Sequence, residues 1–352
     1  MPERKVGIVL SGGGAKGAYE AGALKAIVKF TDRIDVISGA SIGAINAAVF
    51  ACAYEETGDL EQAAARVVEA WRSIERPFKV SLLRIVCKLV WNWLRSFSLS
   101  PAHLLSFASV ADNAKIVATI AGLLPDKKIS ELKRIELAIN ATDLTHGRTV
   151  TFCRENDISL REAVLASSCI PVLFPSRRIG DSYYVDGGIF NNTPLKDVLV
   201  RGATDVFIVA LKPSDSQQYF QEIEDHTPFD TVFGVSNRLM ELVLDKIMYE
   251  DLKTARRMNE IVASIKAFEA QDPDSPALRR LKDAIKYDGE GRRMKAVVNF
   301  YEVAPARRLE PPGTLGFDQR EAIEEIMRQG EKDAAAVLAE QIREATGRTR
   351  IA

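Results

Sequence analysis

The stretch Asp32–Tyr54, DRIDVISGASIGAINAAVFACAY, decides how the chain is read. Ile34–Ile37 is short and β-branched, as a strand buried on both faces would be. Ile42–Tyr54 is almost continuously apolar and too long for a strand, so it reads as a buried helix. Between them, Gly39-Ala40-Ser41-Ile42-Gly43 fits G-x-S-x-G in the strand–turn–helix setting that this nucleophile elbow needs. Such a turn holds the serine hydroxyl out at the end of a strand, and the flanking glycines avoid the clash a Cβ would cause there. An ordinary Gly/Ser loop would satisfy the same spacing, so the motif needs partners.

A second strand–glycine–helix junction precedes it. Val6–Leu10 reads as a buried strand and Ala15–Phe30 as a helix, with the glycines of SGGGAKG between them. Gly12, Gly14 and Gly17 satisfy G-x-G-x-x-G, and amides at such a junction point at an anion. That anion is either a cofactor phosphate or a transient oxyanion. No Ser or Thr follows Lys16 and the spacing differs from a Walker A loop, which leaves a dinucleotide as the only nucleotide reading. In that reading the protein is an oxidoreductase with Asp35 as the ribose ligand, and GASIG has no role.

The α/β rhythm continues along the chain. Thr57–Ile74 is helical and Pro77 breaks it; residues 77–125 depart from the pattern as a helical insertion. Strands follow at Ile135–Asn140 and Thr149–Phe152, a helix at Ser159–Ser167, a strand at Tyr183–Val185, a helix at Leu195–Val200 and a strand at Asp205–Leu211. Alternating strands and helices predict a mainly parallel sheet with helices on both faces. Residues 1–212 thus form an α/β/α core. Residues 213–295 form a helical extension of it, and 296–352 supply a closing strand, Val297–Val303, and an amphipathic helix, Phe317–Arg343.

With 352 residues, 47% hydrophobic content and 27% charged residues, the chain can bury a large core. A net charge of −1 and the absence of zinc-finger or basic-aromatic patterns argue against nucleic acid as a partner. Cys52, Cys87, Cys153 and Cys169 are scattered in apolar surroundings without a C-x-x-C pair, which predicts reduced thiols and a cytoplasmic protein. No run reaches the length of a membrane span or of a signal-peptide core.

A nucleophilic serine needs a base, and the chain has three histidines to offer. His103 falls in the irregular insertion, His146 in the turn TDLTHGRT, and His226 in the polar run EIEDHTPFD, where it could complete a triad. Asp186, in YYVDGGIFNNTP, follows a short strand and precedes two glycines that let its carboxylate project from a tight turn. An Asp-Gly surface hairpin would look the same.

Taken together, GGGAKG, GASIG, ASSCIPVLFPS and DGGIFNNTP, in that order, resemble the patatin-like phospholipases. The resemblance implies a three-layer patatin-like fold and a Ser-Asp dyad, with Ser41 as nucleophile and Asp186 as base. It places the oxyanion hole at Gly12, Gly13 and Gly14, and it requires neither metal nor organic cofactor. The implied substrate is an acyl ester of a phospholipid or lysophospholipid; a catalytically silent lipid-binding protein on the same fold is the alternative. Lys16 stands where many members have arginine, and Ser176 where a second proline is frequent.

Within the insertion, Lys79–Arg95 (KVSLLRIVCKLVWNWLR) places Ser81, Arg84, Lys88, Asn92 and Arg95 on one helical face and an apolar stripe on the other. With Leu104, Leu105 and Phe107 it predicts transient membrane-surface contact through residues 79–107, peripheral to the bilayer. A helix packed on the core would show the same stripe.

Overall fold

The apolar run Val6–Leu10 forms β1, and Val36–Ala40 forms β2 alongside it in parallel. Both are buried along their whole length, as strands covered on two faces must be. The computed structural model describes residues 4–73, 113–171, 174–213, 232–272, 274–285, 298–307, 309, 317 and 319–348. The amphipathic stretch 79–95 and the remainder of 79–107 lie outside the described residues, as do His103 and His226.

Six further strands complete the sheet: β3 (Glu136–Asp143), β4 (Arg148–Phe152), β5 (Arg177–Ile179), β6 (Ser182–Asp186), β7 (Asp205–Val209) and β8 (Asn299–Val303). The order is β5-β6-β3-β2-β1-β7-β8, with β4 paired to β3 as well. β3, β2, β1, β7 and β8 run parallel, whereas β4, β5 and β6 are antiparallel additions.

Side-chain alternation along the parallel strands separates two cores. Ile8, Leu10, Ile37, Phe207 and Val209 join one cluster with α1 (Ala18–Ile27), α2 (Ile42–Thr57), α3 (Leu60–Ser73) and α9 (Arg320–Arg348). Val9, Val36, Val206 and Ile208 face the other way, against Leu195 and Val198 of α6 (Leu195–Val200) and Met248 and Leu252 of α7 (Val232–Gln271). The remaining helices are α4 (Asn113–Leu123), α5 (Leu160–Ser167) and α8 (Pro276–Ile285). The result is an α/β fold of three layers, as the strand–helix alternation predicts.

Two boundaries differ from the sequence reading in ways that matter below. β2 runs on to Ala40, so Gly39 and Ala40 of the GASIG motif are strand. β3 extends three residues beyond Asn140, because Ala141, Thr142 and Asp143 find partners in β4 and β6 that local propensity does not reveal. Helix α1 begins at Ala18, the preceding Gly14–Gly17 being a 3-10 turn, and β5 occupies a segment expected to be loop.

Candidate active site

Ser41 stands between the last residue of β2 and the first of α2, with φ 55° and ψ −122°. It is the only non-glycine residue with positive φ among the described residues. That conformation costs on the order of 1–3 kcal/mol and persists only where its surroundings enforce it. Three features do so. The Ser41 carbonyl accepts from Ala44 at 3.0 Å in the first turn of α2. Its N–H donates to Ser167 Oγ at 2.9 Å, at the end of α5. The crossing of α2 over β1 is close enough that a Cβ on Gly43 would lie 2.5 Å from the Leu10 carbonyl oxygen, so only glycine fits there.

Asp186 reaches the same point from the other direction. β2 and β6 lie end to end along one edge of β3, with β4 on the opposite edge. Ala40 pairs with Asn140 and Asp186 with Ala141, which are consecutive residues of β3. The residue after Ala40 and the last residue of β6 therefore meet. Asp186 is held there by its N–H donating to the Cys169 carbonyl at 3.0 Å and by its carbonyl accepting from Thr142 Oγ1 at 2.9 Å.

The Asp186 carboxylate is buried, with 4% of the residue exposed. Oδ1 accepts from the Gly188 N–H at 2.8 Å, while Oδ2 completes no hydrogen bond. Burial pushes its pKa up from 3.8 to about 6, against the Ser41 hydroxyl and the Gly188 N–H, which favour the charged form. Hydroxyl and carboxylate thus face each other, short of a closed hydrogen bond; catalytic contacts of this kind commonly tighten only when substrate arrives.

The glycine loop lies against this pair, and a Cβ on Gly12 would come within 3.1 Å of Ser41 Cβ. Gly12 itself is fully engaged: its N–H donates to the Asn192 carbonyl at 3.1 Å, and its carbonyl accepts from Asn192 Nδ2 at 3.2 Å. Ser11 and Thr193 hydroxyls meet at 3.0 Å, and Ser38 Oγ donates to the Pro194 carbonyl at 3.0 Å. The NNTP segment is therefore a latch on the loop. The N–H groups of Gly13 and Gly14, at the start of the 3-10 turn, donate no hydrogen bond among the described residues.

Sequence reasoning passes over Ser167, Asn192 and Thr193, although all three lie inside the quoted motifs. It passes over a further support behind the loop. Glu20 of α1, fully buried, accepts from Asn46 Nδ2 at 2.8 Å; the same group donates to the Gly17 carbonyl at 3.0 Å, and Asn46 Oδ1 accepts from Trp71 Nε1 at 2.9 Å. Burial drives the Glu20 carboxyl well above the usual carboxylate range.

The other candidates fall away from Ser41. His146, the one histidine among the described residues, hydrogen-bonds through Nδ1 to Asp143 Oδ2 of its own turn at 2.8 Å and is half exposed. Asp35 precedes β2, at the opposite end of the parallel strands from the glycine loop, where it accepts from the Val6 N–H at 2.7 Å and pairs with Arg33. A ribose ligand belongs at the C-terminal ends of the strands, so the dinucleotide reading loses its acidic residue.

The Patatin-like phospholipase family model matches residues 8–199, which hold every residue of this arrangement. The chain belongs to that family. Among its relatives, a lysophospholipase NTE1 of Cryptococcus neoformans is 25% identical over 209 residues, covering 58% of this chain and 11% of the relative. An uncharacterized NTE family protein of Mycobacterium tuberculosis is 24% identical over 209 residues, covering 59% of this chain and 30% of the relative. The chain thus spans under a third of the length of these curated relatives. Human GIVD cytosolic phospholipase A2 superposes with a TM-score of 0.45 at 13% identity, covering 97% of this chain and 59% of that one. No helix among the described residues is long and apolar enough to cross a membrane.

Proposed function

We propose that this patatin-family protein is a serine acyl hydrolase that cleaves fatty-acyl esters of phospholipids or lysophospholipids through an acyl-Ser41 intermediate. The observation that carries the reading is the meeting of Ser41, in its strained elbow, with the buried Asp186 carboxylate at one point on the edge of β3.

In this mechanism Ser41 Oγ attacks the ester carbonyl carbon while its proton passes to Asp186 Oδ2, the oxygen without a hydrogen bond. The carbonyl oxygen takes up negative charge beside the Gly13 and Gly14 N–H groups. Gly12 shapes the loop but contributes no donor, since its N–H is bound to Asn192. The α2 N-terminus adds its partial positive charge. Collapse of the tetrahedral intermediate breaks the ester C–O bond, and the leaving alkoxide takes the proton from Asp186. Water then attacks the acyl-serine, giving its proton to Asp186, and the fatty acid leaves as Ser41 recovers its hydrogen. No histidine enters. Preorganised amides at the oxyanion are worth roughly 10²–10³ in rate each.

Intact-mass analysis after exposure to an alkyl fluorophosphonate, with peptide mapping, tests this reading. A single adduct on Ser41 is expected, absent from Ser41→Ala and formed at least ~10³-fold more slowly in Asp186→Asn. Folded wild type that takes up no adduct would overturn it in favour of a silent lipid-binding protein.

A further inference from the structure

Asn192 brings to the site a second acceptor, which the steps described so far leave unused. It follows the Gly187–Ile189 3-10 turn, where the Gly187 carbonyl accepts from the Asn191 N–H at 3.1 Å. The side-chain amide is planar, so the direction of one end fixes that of the other. The Gly12 carbonyl can only accept, which assigns Nδ2 to the 3.2 Å contact with it and leaves Oδ1 to face the elbow. The bond from the Gly12 N–H to the Asn192 carbonyl, at 3.1 Å, and the Ser11–Thr193 hydroxyl pair hold the residue against the glycine loop.

A Cβ placed on Gly12 would lie 2.4 Å from Asn192 Oδ1, 3.1 Å from Ser41 Cβ and 3.4 Å from the Ala40 carbonyl oxygen. Oδ1 and the Ser41 side chain thus border the same carbon-sized space. Asn192 is buried, 3% exposed, and Oδ1 completes no hydrogen bond among the described residues. A buried acceptor left unmade is costly, so its place beside the nucleophile calls for a donor that comes with the reaction. In the acyl-enzyme Ser41 has no proton to give, and that donor is the attacking water. Water has two O–H groups. One is drawn by Asp186 Oδ2, the carboxylate oxygen without a hydrogen bond, and the other meets Asn192 Oδ1. With both protons placed, a lone pair faces the acyl carbon. An alcohol has a single O–H, which Asp186 takes, and its carbon then lies against an acceptor that it cannot satisfy.

We infer that Asn192 Oδ1 accepts the second O–H of the hydrolytic water and so directs the acyl-Ser41 intermediate to water in preference to an alcohol. The inference rests on the acyl-serine reading above and names what selects its second substrate. In this step the water oxygen bonds to the acyl carbon while one of its protons passes to Asp186. Collapse breaks the bond from that carbon to Ser41 Oγ, which takes the proton back from Asp186. The other water proton stays on the fatty acid, held by Asn192 until the product leaves. Asn192 exchanges no proton; it orients the reacting water.

The test follows the fate of one acyl-enzyme, formed by the full chain from 4-nitrophenyl butyrate in aqueous methanol, through the initial ratio of butyric acid to methyl butyrate. Both products leave the same intermediate, so a misfolded fraction lowers the rate without moving the ratio. Asn192→Ala and the shape-conserving Asn192→Leu are each expected to lower the acid-to-ester ratio about fivefold or more, the worth of one hydrogen bond. Asn192→Asp keeps an acceptor oxygen at the position and is expected to hold the ratio within about twofold of wild type. If wild type forms no methyl ester, its appearance in the Ala and Leu variants supports the inference and its absence from them overturns it. A residue that only latches the Gly12 loop would slow acylation and deacylation alike; an unmoved ratio in all three variants, or loss of 4-nitrophenolate release from both Ala and Leu variants, would overturn the water role and leave the hydrolase standing. A ratio that falls as far in Asn192→Asp as in Asn192→Leu would overturn it too. Folded wild type that releases no 4-nitrophenolate removes the acyl-serine reading, and this inference with it.

Discussion

At the scale of single residues, Ser41 and Asp186 both hold conformations or environments that cost stability. Replacing Ser41 by Gly removes the Cβ that makes φ 55° unfavourable, whereas Ser41→Ala keeps it. Both variants lose hydrolysis, and chemical denaturation should show Ser41→Gly to be the more stable of the two by ~1 kcal/mol. Asp186 is ionised at neutral pH although burial raises its pKa to about 6. Its folded pKa lies above its unfolded value, so its ionisation destabilises the native state: the favourable situation holds below about pH 4 and is lost as pH rises to about 6. Above that, the penalty is ~3 kcal/mol. Asp186→Asn should therefore raise stability at pH 7.5 by ~1–3 kcal/mol and leave little difference from wild type at pH 4, while hydrolysis is lost. In the proposed mechanism the same group sets the activity profile. Only the carboxylate accepts the serine proton, so kcat/KM rises with pH through an apparent pKa near 6. A profile flat from pH 5 to 8 would remove Asp186 as the base.

At the scale of elements, the site depends on close approaches between backbones. α1 and α9 cross where two glycines face each other's partner helix: a Cβ on Gly22 would fall 1.8 Å from the Met327 carbonyl oxygen, and one on Gly330 would fall 2.1 Å from that of Tyr19. Tyr19 Oη also donates to Asp333 Oδ2 at 3.0 Å across this crossing. Gly22→Ala or Gly330→Ala must push the helices apart and is expected to cost ~3 kcal/mol or more, read as a lowered denaturation midpoint. α5 plays a quieter part. Ser167→Ala leaves the buried Ser41 N–H without its acceptor, at ~1–3 kcal/mol. Circular dichroism should show the fold retained while kcat falls, because the elbow that aims Oγ has lost one of its constraints.

At the scale of the molecule, the five parallel strands are the rigid body on which the loops are mounted. β1, β2 and β7 are buried on both faces and paired on both edges. Hydrogen exchange should accordingly be slowest there and faster in the three-residue edge strand β5 and in β8. Exchange from β1 as fast as from β5 would show that the site is not carried by a stable sheet.

How much of this was legible beforehand follows from the range of the forces involved. The strand–glycine–helix junctions at Val6–Gly17 and Ile34–Tyr54, the two-sided burial of the parallel strands and the candidacy of Ser41 and Asp186 are local. Each depends on steric rules and apolar periodicity within some twenty residues, and the sequence by itself determined them. The meeting of Ser41 with Asp186 required tertiary structure, because it rests on β3 pairing β2 at Asn140 and β6 at Ala141 along one edge, which no local propensity encodes. Tertiary structure also engaged the Gly12 N–H with Asn192, 180 residues away, and placed Asp35 at the wrong end of the strands for a dinucleotide. Hydrogen-bond pairing and burial act between residues that are neighbours only after folding, so they decide which of the residues marked out by local pattern come to share a site.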